Sequence, residues 1–292
     1  MNYKVTVHIH HPNNDYEHLT QRFKNNDIIL NHGHDHLEQL YGVVYSKHIE
    51  ALQSEQDIAK RLFSLQILLT GARFVELAQE THRRIKFDGF EIENHKSLAN
   101  GFYKVYADSI EEYPFNGKEE DNITNPNFYL PCDLDSMLFS LSKIDHIVRS
   151  LLFQAGMIRT YQSFEKILTW NTLYKIVDTV KYGCKQIDID INTLVDSTDL
   201  NRFTSACNNA LVLGINARHG LDPKNKQPKK EPITNIDEAV NLILCLAKMF
   251  VIQYINKRAY CKVKSSLKEK CQHQKISQED IENIDYSKFM RT

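Results

Sequence analysis

The sequence predicts a mostly α-helical protein: a small N-terminal α+β region followed by a C-terminal helical bundle. Three observations lead there. Residues 3–9 alternate Tyr3, Val5, Val7 and Ile9 against Lys4, Thr6 and His8, the period of a half-buried strand. From about Glu55, and again from Asp133, apolar residues recur every three to four positions, the period of helices with a buried face. Between these helical regions, the stretch Glu111 to Pro131 carries Pro114, Asn116-Gly117, a charge run from Lys118 to Asp121, Asn125-Pro126 and Pro131. It cannot propagate a helix, because proline has no amide hydrogen and pushes its predecessor out of the α region.

The elements follow in order. After the first strand, Pro12-Asn13-Asn14-Asp15 is a turn able to cap a helix over roughly 15–25. Ile28-Ile29-Leu30 and Val43-Val44-Tyr45 are short apolar runs that fit strands, and Asn31 to His36 between them is expected to turn. Ile58, Leu62, Leu65, Leu69, Ala72 and Val75 mark a long helix to about Arg84, with Gly71 a candidate kink. Asp88-Gly89 is a turn signal, and a shorter helix is expected from Lys96 to Ile110. Beyond the proline-rich stretch, helices are expected over Asp133 to Gln154, Ile158 to Tyr182 with Gly183 ending it, and Leu194 to Leu213. The last has a start resembling a capping box, Thr234 and Asp237, followed by a broad apolar face from Ile236 to Ile255. The expected organisation is therefore 1–115 as an α+β and helical region, 116–131 as linker, 132–260 as bundle and 261–292 as a polar, lysine-rich tail.

Composition limits the function classes. The net charge of −1 gives no global field for polyanions, so any nucleic-acid contact must come from a local patch. Six scattered cysteines without a C-x-x-C pair fit free thiols in a reducing compartment, and a cytoplasmic location is expected. Residues Met1 to Val5 lack the apolar core of a signal peptide, and Ala239 to Ile255, interrupted by Asn241, Lys248 and Gln253, is expected to be a buried helix, so no membrane association is expected. Neither glycine-rich phosphate-binding motif occurs.

Three groups of residues could carry chemistry. His8, His10, His32, His34 and His36 belong to seven histidines within the first 36 residues; His8 and His10 share one strand face, and with the 32–36 segment alongside they could surround a divalent transition metal. The same histidines also fit a polar strand face and turn, with no cofactor. The second group is Asn216-Ala217-Arg218-His219-Gly220, between an apolar helix end and a loop into the last helix. The third is that loop, where Lys224, Lys226, Lys229 and Lys230 stand among Pro223, Pro228 and Pro232; phosphates could dock there, or the charges could simply be solvated.

A helix ending in Arg218-His219-Gly220, a loop, and a buried last helix opened by Pro232-Ile233-Thr234 together resemble the C-terminal part of HEPN-like helical domains, over roughly residues 133–258. The resemblance implies an RNA- or partner-binding module in a bacterial stress or defence setting, with a homodimer through the bundle. Its alternative implication is an active, metal-independent endoribonuclease, with His219 moving a proton, Arg218 stabilising phosphorane charge and Asn216 on the same face. Active members carry an arginine four to six residues before the histidine; here Gly214 and Leu213 stand five and six before it, and Arg218 adjoins it. A metal-dependent enzyme or sensor built on the N-terminal histidines is the third reading.

Overall fold

The computed structural model of the chain describes residues 5–9, 14–24, 27–34, 40–79, 87, 89–92, 110–117, 133–160, 163–221, 228 and 230–259. The mostly helical class with a small N-terminal α+β region holds. The first unit contains β1 (Val5–Ile9), α1 (Asn14–Arg22), β2 (Ile29–His34), β3 (Leu40–Tyr45), α2 (Lys47–Glu50), α3 (Glu55–Leu77) and β4 (Gly89–Ile92). The four strands form one antiparallel sheet in the order β2-β3-β1-β4. Each half is a strand–helix–strand unit whose two strands run parallel with a strand of the other half between them, the split β-α-β connectivity.

The strand alternation sets the faces. Val5, Val7 and Ile9 are buried while Thr6 and His8 are half-exposed, as period two demands. Val7 lies opposite Val44 and Phe90, and Val44 opposite Leu30, so one buried row crosses all four strands. Tyr16 and Leu19 of α1, and Phe23 just beyond it, join that core. Asn31 to His34, expected to turn, are instead strand: the β2–β3 register continues from Ile29 opposite Tyr45 to His34 opposite Leu40. Backbone pairing with a strand outweighs the weak local preference of an Asn-His-Gly-His stretch.

The bundle contains α4 (Leu134–Ser142), α5 (His146–Gly156), α6 (Ser163–Gln186), α7 (Ser197–Cys207), α8 (Ala210–Leu213) and α9 (Ile236–Tyr254), which continues as a π-helical turn over Ile255–Ala259. Several boundaries differ from the sequence expectation, each for a local reason. The helix expected over 133–154 is two, because Asp145 leaves the helical conformation and accepts hydrogen bonds from the Ile147 and Val148 amides, at 2.8 and 3.0 Å. The expected 194–213 helix also divides, at Asn209, which caps α8 through the Leu211 amide. The long helix α3 stops at Leu77 because Ala78 adopts φ 55°. Asn235 rather than Thr234 caps α9, accepting from Asp237 N and Glu238 N. Gly183 lies inside α6, where the Phe250 ring packs against it. The expected helix over 96–110, most of the 116–131 stretch and the tail beyond Ala259 lie outside the described residues.

The sheet and the bundle share one hydrophobic core, running from Val7 and Leu30 through α3 to Leu152, Ile176 and Phe250. Helix α3 crosses α5 so closely that a Cβ at Gly71 would lie 1.9 Å from the Leu152 carbonyl oxygen, and one at Gly156 would lie 2.0 Å from that of Ile67. Glycine at both crossing points is what lets the backbones meet. Among the described residues, Ile236–Lys257 alone is long and apolar enough to cross a membrane, and half of that window is buried within the protein.

Residues 110–117 strap α2 and α3 to the bundle. Arg61 of α3 donates to both Glu111 carboxylate oxygens, at 2.6 and 2.9 Å, to Asn116 Oδ1 and to the His48 carbonyl. Phe115 is buried between His48 and Phe139 in edge-to-face contacts. His48, fully buried on α2, accepts the Asn116 amide on Nδ1 at 2.9 Å, so its proton belongs on Nε2, which meets Asp27 Oδ1 at 3.0 Å.

Candidate nucleic-acid interface around Arg218

The connector from α7 to α9 is built by short-range caps at the end of a buried helix. Asp196 opens α7 by accepting the Thr198 amide at 2.6 Å. Phe203 of α7 stacks on Trp170 of α6, ring centroids 6.0 Å apart, which fixes α7 against the bundle. After α8, Gly214 takes φ 57°, a left-handed value suited to glycine, and a 3-10 turn spans Gly214–Asn216. The Arg218 amide then donates 2.7 Å back to the Cys207 carbonyl, satisfying an open acceptor at the end of α7.

The Arg218 guanidinium lies over the Tyr174 ring of α6, 4.0 Å from its centroid, with the Asp178 carboxylate 4.0 Å away. Both charged side chains are substantially exposed, so the pair contributes no more than about 1 kcal/mol. His219 is exposed. Asn216 is half-exposed within the 3-10 turn. Three large apolar side chains stand in the same segment: Leu211, Ile215 and Leu221 are 52%, 81% and 83% exposed. The nearby Cys207 thiol is buried and pushed up to about 12 by that burial, with Arg218 opposing weakly, so it is no nucleophile near neutral pH.

The far end of the lysine loop is tied as well. Arg202 of α7 donates through Nε to the Glu231 carbonyl at 2.8 Å and pairs with Asp199 at 3.0 Å and Glu238 at 3.6 Å. Lys230 is exposed at that end; Lys224, Lys226 and Lys229 lie outside the described residues. Tyr174, Asp178 and Arg202 are thus site residues that reasoning from the sequence missed. Only the spacing of Tyr174 and Asp178, four apart on one helix face, could have signalled them.

The N-terminal histidines are distributed differently. His8 lies opposite Val43, which lies opposite Asn31, so His8 and the neighbouring His32 occupy opposite faces of the sheet. His32 faces α1, its ring meeting Tyr16 edge-on at 5.2 Å. His34 ends β2 with its side chain outside the described set, as are His10 and His36 altogether. The structure therefore does not bring His8 and His32 to one centre.

Chemically, the Arg218 region offers a guanidinium on an aromatic platform, an exposed imidazole and apolar contact area. It can bind an anion by charge and a flexible partner by contact. Compared with family models, curated proteins and solved structures, the chain matches none.

Proposed function

We propose that the chain is an RNA-binding module whose contact surface is built around Arg218, His219 and Lys230, and that it binds rather than cleaves. One observation carries the reading. Arg218 and His219 stand exposed at the entry of a loop whose sequence adds Lys224, Lys226, Lys229 and Lys230 against the two acids Asp222 and Glu231, in a chain of net charge −1. Such a local concentration of cations is what a phosphate backbone requires. The Asp178 partner is too weakly held to keep the guanidinium from a phosphate. Cleavage finds less support, because Arg218 is directed toward Tyr174. The resemblance of residues 133–258 to HEPN-like domains leads to the same class, and a homodimer through the bundle belongs to the proposal.

The test is fluorescence anisotropy of the full chain with a single-stranded RNA in EDTA. Five cationic contacts lower affinity about a hundredfold between 50 and 200 mM salt. Changing the four loop lysines to glutamine lowers the log–log salt slope by about 3. Absence of salt-sensitive binding sinks the reading, and RNA cleavage that disappears in His219→Ala replaces it with the nuclease.

A further inference from the structure

The apolar part of this surface asks for an occupant. Leu211, Ile215 and Leu221 expose large side chains within one eleven-residue segment, beside Arg218 and His219. An isolated exposed leucine needs no explanation, but three large apolar side chains in one segment beside Arg218 mark a contact surface. The chain itself contains a complementary segment. Ser277 to Met290 carries Glu279, Asp280, Glu282 and Asp285 against the one base Lys288, and Ile281, Ile284, Phe289 and Met290 supply apolar side chains. Residues 262 to 275, by contrast, hold five lysines and one glutamate, so charge along this part of the chain is segregated rather than mixed.

The segment can reach. Lys257 donates to the Ile187 carbonyl at the end of α6, which places the exit from α9 there. Tyr174 and Asp178, against which Arg218 rests, lie nine to thirteen residues earlier on α6, about 13–20 Å along the axis. The eighteen residues from Ala259 to Ser277 span at most about 60 Å, ample for that return.

We infer that the acidic segment Ser277–Met290 docks in cis on the surface of Leu211, Ile215, Arg218, His219 and Leu221, and competes there with RNA. The competition rests on the RNA-binding reading; the docking does not. Aspartates and glutamates of the segment take the place of phosphates on Arg218, while its isoleucines cover the exposed apolar side chains.

The experiment uses the full chain with a benzophenone amino acid in place of Ile215, which is exposed enough to tolerate it. Irradiation without RNA is expected to yield intramolecular crosslinks to peptides within 277–290, reduced at least tenfold by Ile281→Asp with Ile284→Asp. Crosslinks to other peptides, crosslinks only between copies, or none overturn the docking. In parallel, the Ile281→Asp/Ile284→Asp chain is expected to bind single-stranded RNA about tenfold more tightly than wild type at low salt. If crosslinks form and neither chain binds RNA, docking stands and the RNA reading falls. If no crosslinks form and both chains bind RNA equally, the reverse holds.

Discussion

Residues 110–117 and 208–221 are both connecting segments lying against the bundle, the second built of short helical turns, and they are held in opposite ways. The first turns its polar groups inward. Arg61 closes on Glu111, Asn116 and the His48 carbonyl, Glu111 N donates to Ser64, and Phe115 is buried. Among the described residues the second keeps one backbone tie beyond its local turns, Arg218 N to Cys207 O, and leaves Leu211, Ile215, Arg218, His219 and Leu221 exposed. Saturated polar groups hold a segment to its own protein, whereas exposed cations and apolar side chains leave a surface open to something else. The strap carries Glu111, Tyr113, Phe115 and Asn116 without a lysine, arginine or histidine, and the connector carries Arg218 and His219 without a phenylalanine, tyrosine or tryptophan; among the described residues the two also differ in how many of their polar groups are satisfied.

That contrast can be broken most sharply at Arg61. Its side chain and that of Glu111 are mostly buried, and Arg61→Ala leaves a carboxylate and an amide oxygen without their donor, so equilibrium urea unfolding is expected to show a loss of about 3 kcal/mol. A loss below about 1 kcal/mol would place 110–117 in the same class as the exposed connector.

The pH dependence of the strap comes next. Burial holds His48 below its ordinary value, against Asp27, which raises it, while Lys47 and Lys143 add to the lowering. The folded protein therefore refuses a proton that the unfolded chain accepts below about pH 6.5. Stability supplied by neutral His48 is complete above that pH and is lost as pH falls through it, no faster than about 1.4 kcal/mol per pH unit. Asp27, held far below the usual carboxylate range chiefly by its His48 and Lys47 hydrogen bonds against burial, extends the loss to lower pH. The carboxyl of Asp135, raised to about 6 by burial and by Glu76, works in the opposite direction, its contribution being lost as pH rises through 6. The His48 component is isolated as the difference between wild type and His48→Gln unfolding curves over pH 5 to 7; parallel curves would remove it.

The smallest effect belongs to Arg218. Its ion pair with Asp178 is exposed, and Arg218→Ala is expected to change unfolding free energy by less than about 1 kcal/mol. A loss matching that of Arg61→Ala would mean that Arg218 is structural and would withdraw it from the proposed surface.

The two segments also differ in how far the sequence announced them. Alternation at Val5, Val7 and Ile9 and the apolar repeat from Ile236 to Tyr254 were legible because each is written within one element. The break at Asp145 was not, since Leu141, Ile144, Ile147 and Val148 keep helical spacing straight across it. It depends on a cap and on Tyr254, whose hydroxyl donates to Asp145 from 109 residues away. Arg218 and His219 were singled out from the sequence, yet Tyr174 and Asp178, which position the arginine, were not. The strap over 110–117 read as the start of a linker, because the partners of Asn116 and Glu111 lie 47 to 69 residues earlier.

By itself the sequence determined the helical class, the N-terminal strand, the buried last helix and the cationic run after His219, since periodicity, capping and local charge act over a few residues. Only the tertiary structure decided that the sheet and bundle share one core, that His8 and His32 face apart, and that Arg218 rests on Tyr174. Those arrangements depend on groups distant along the chain, brought together when apolar surface leaves water and every buried polar group must find a partner.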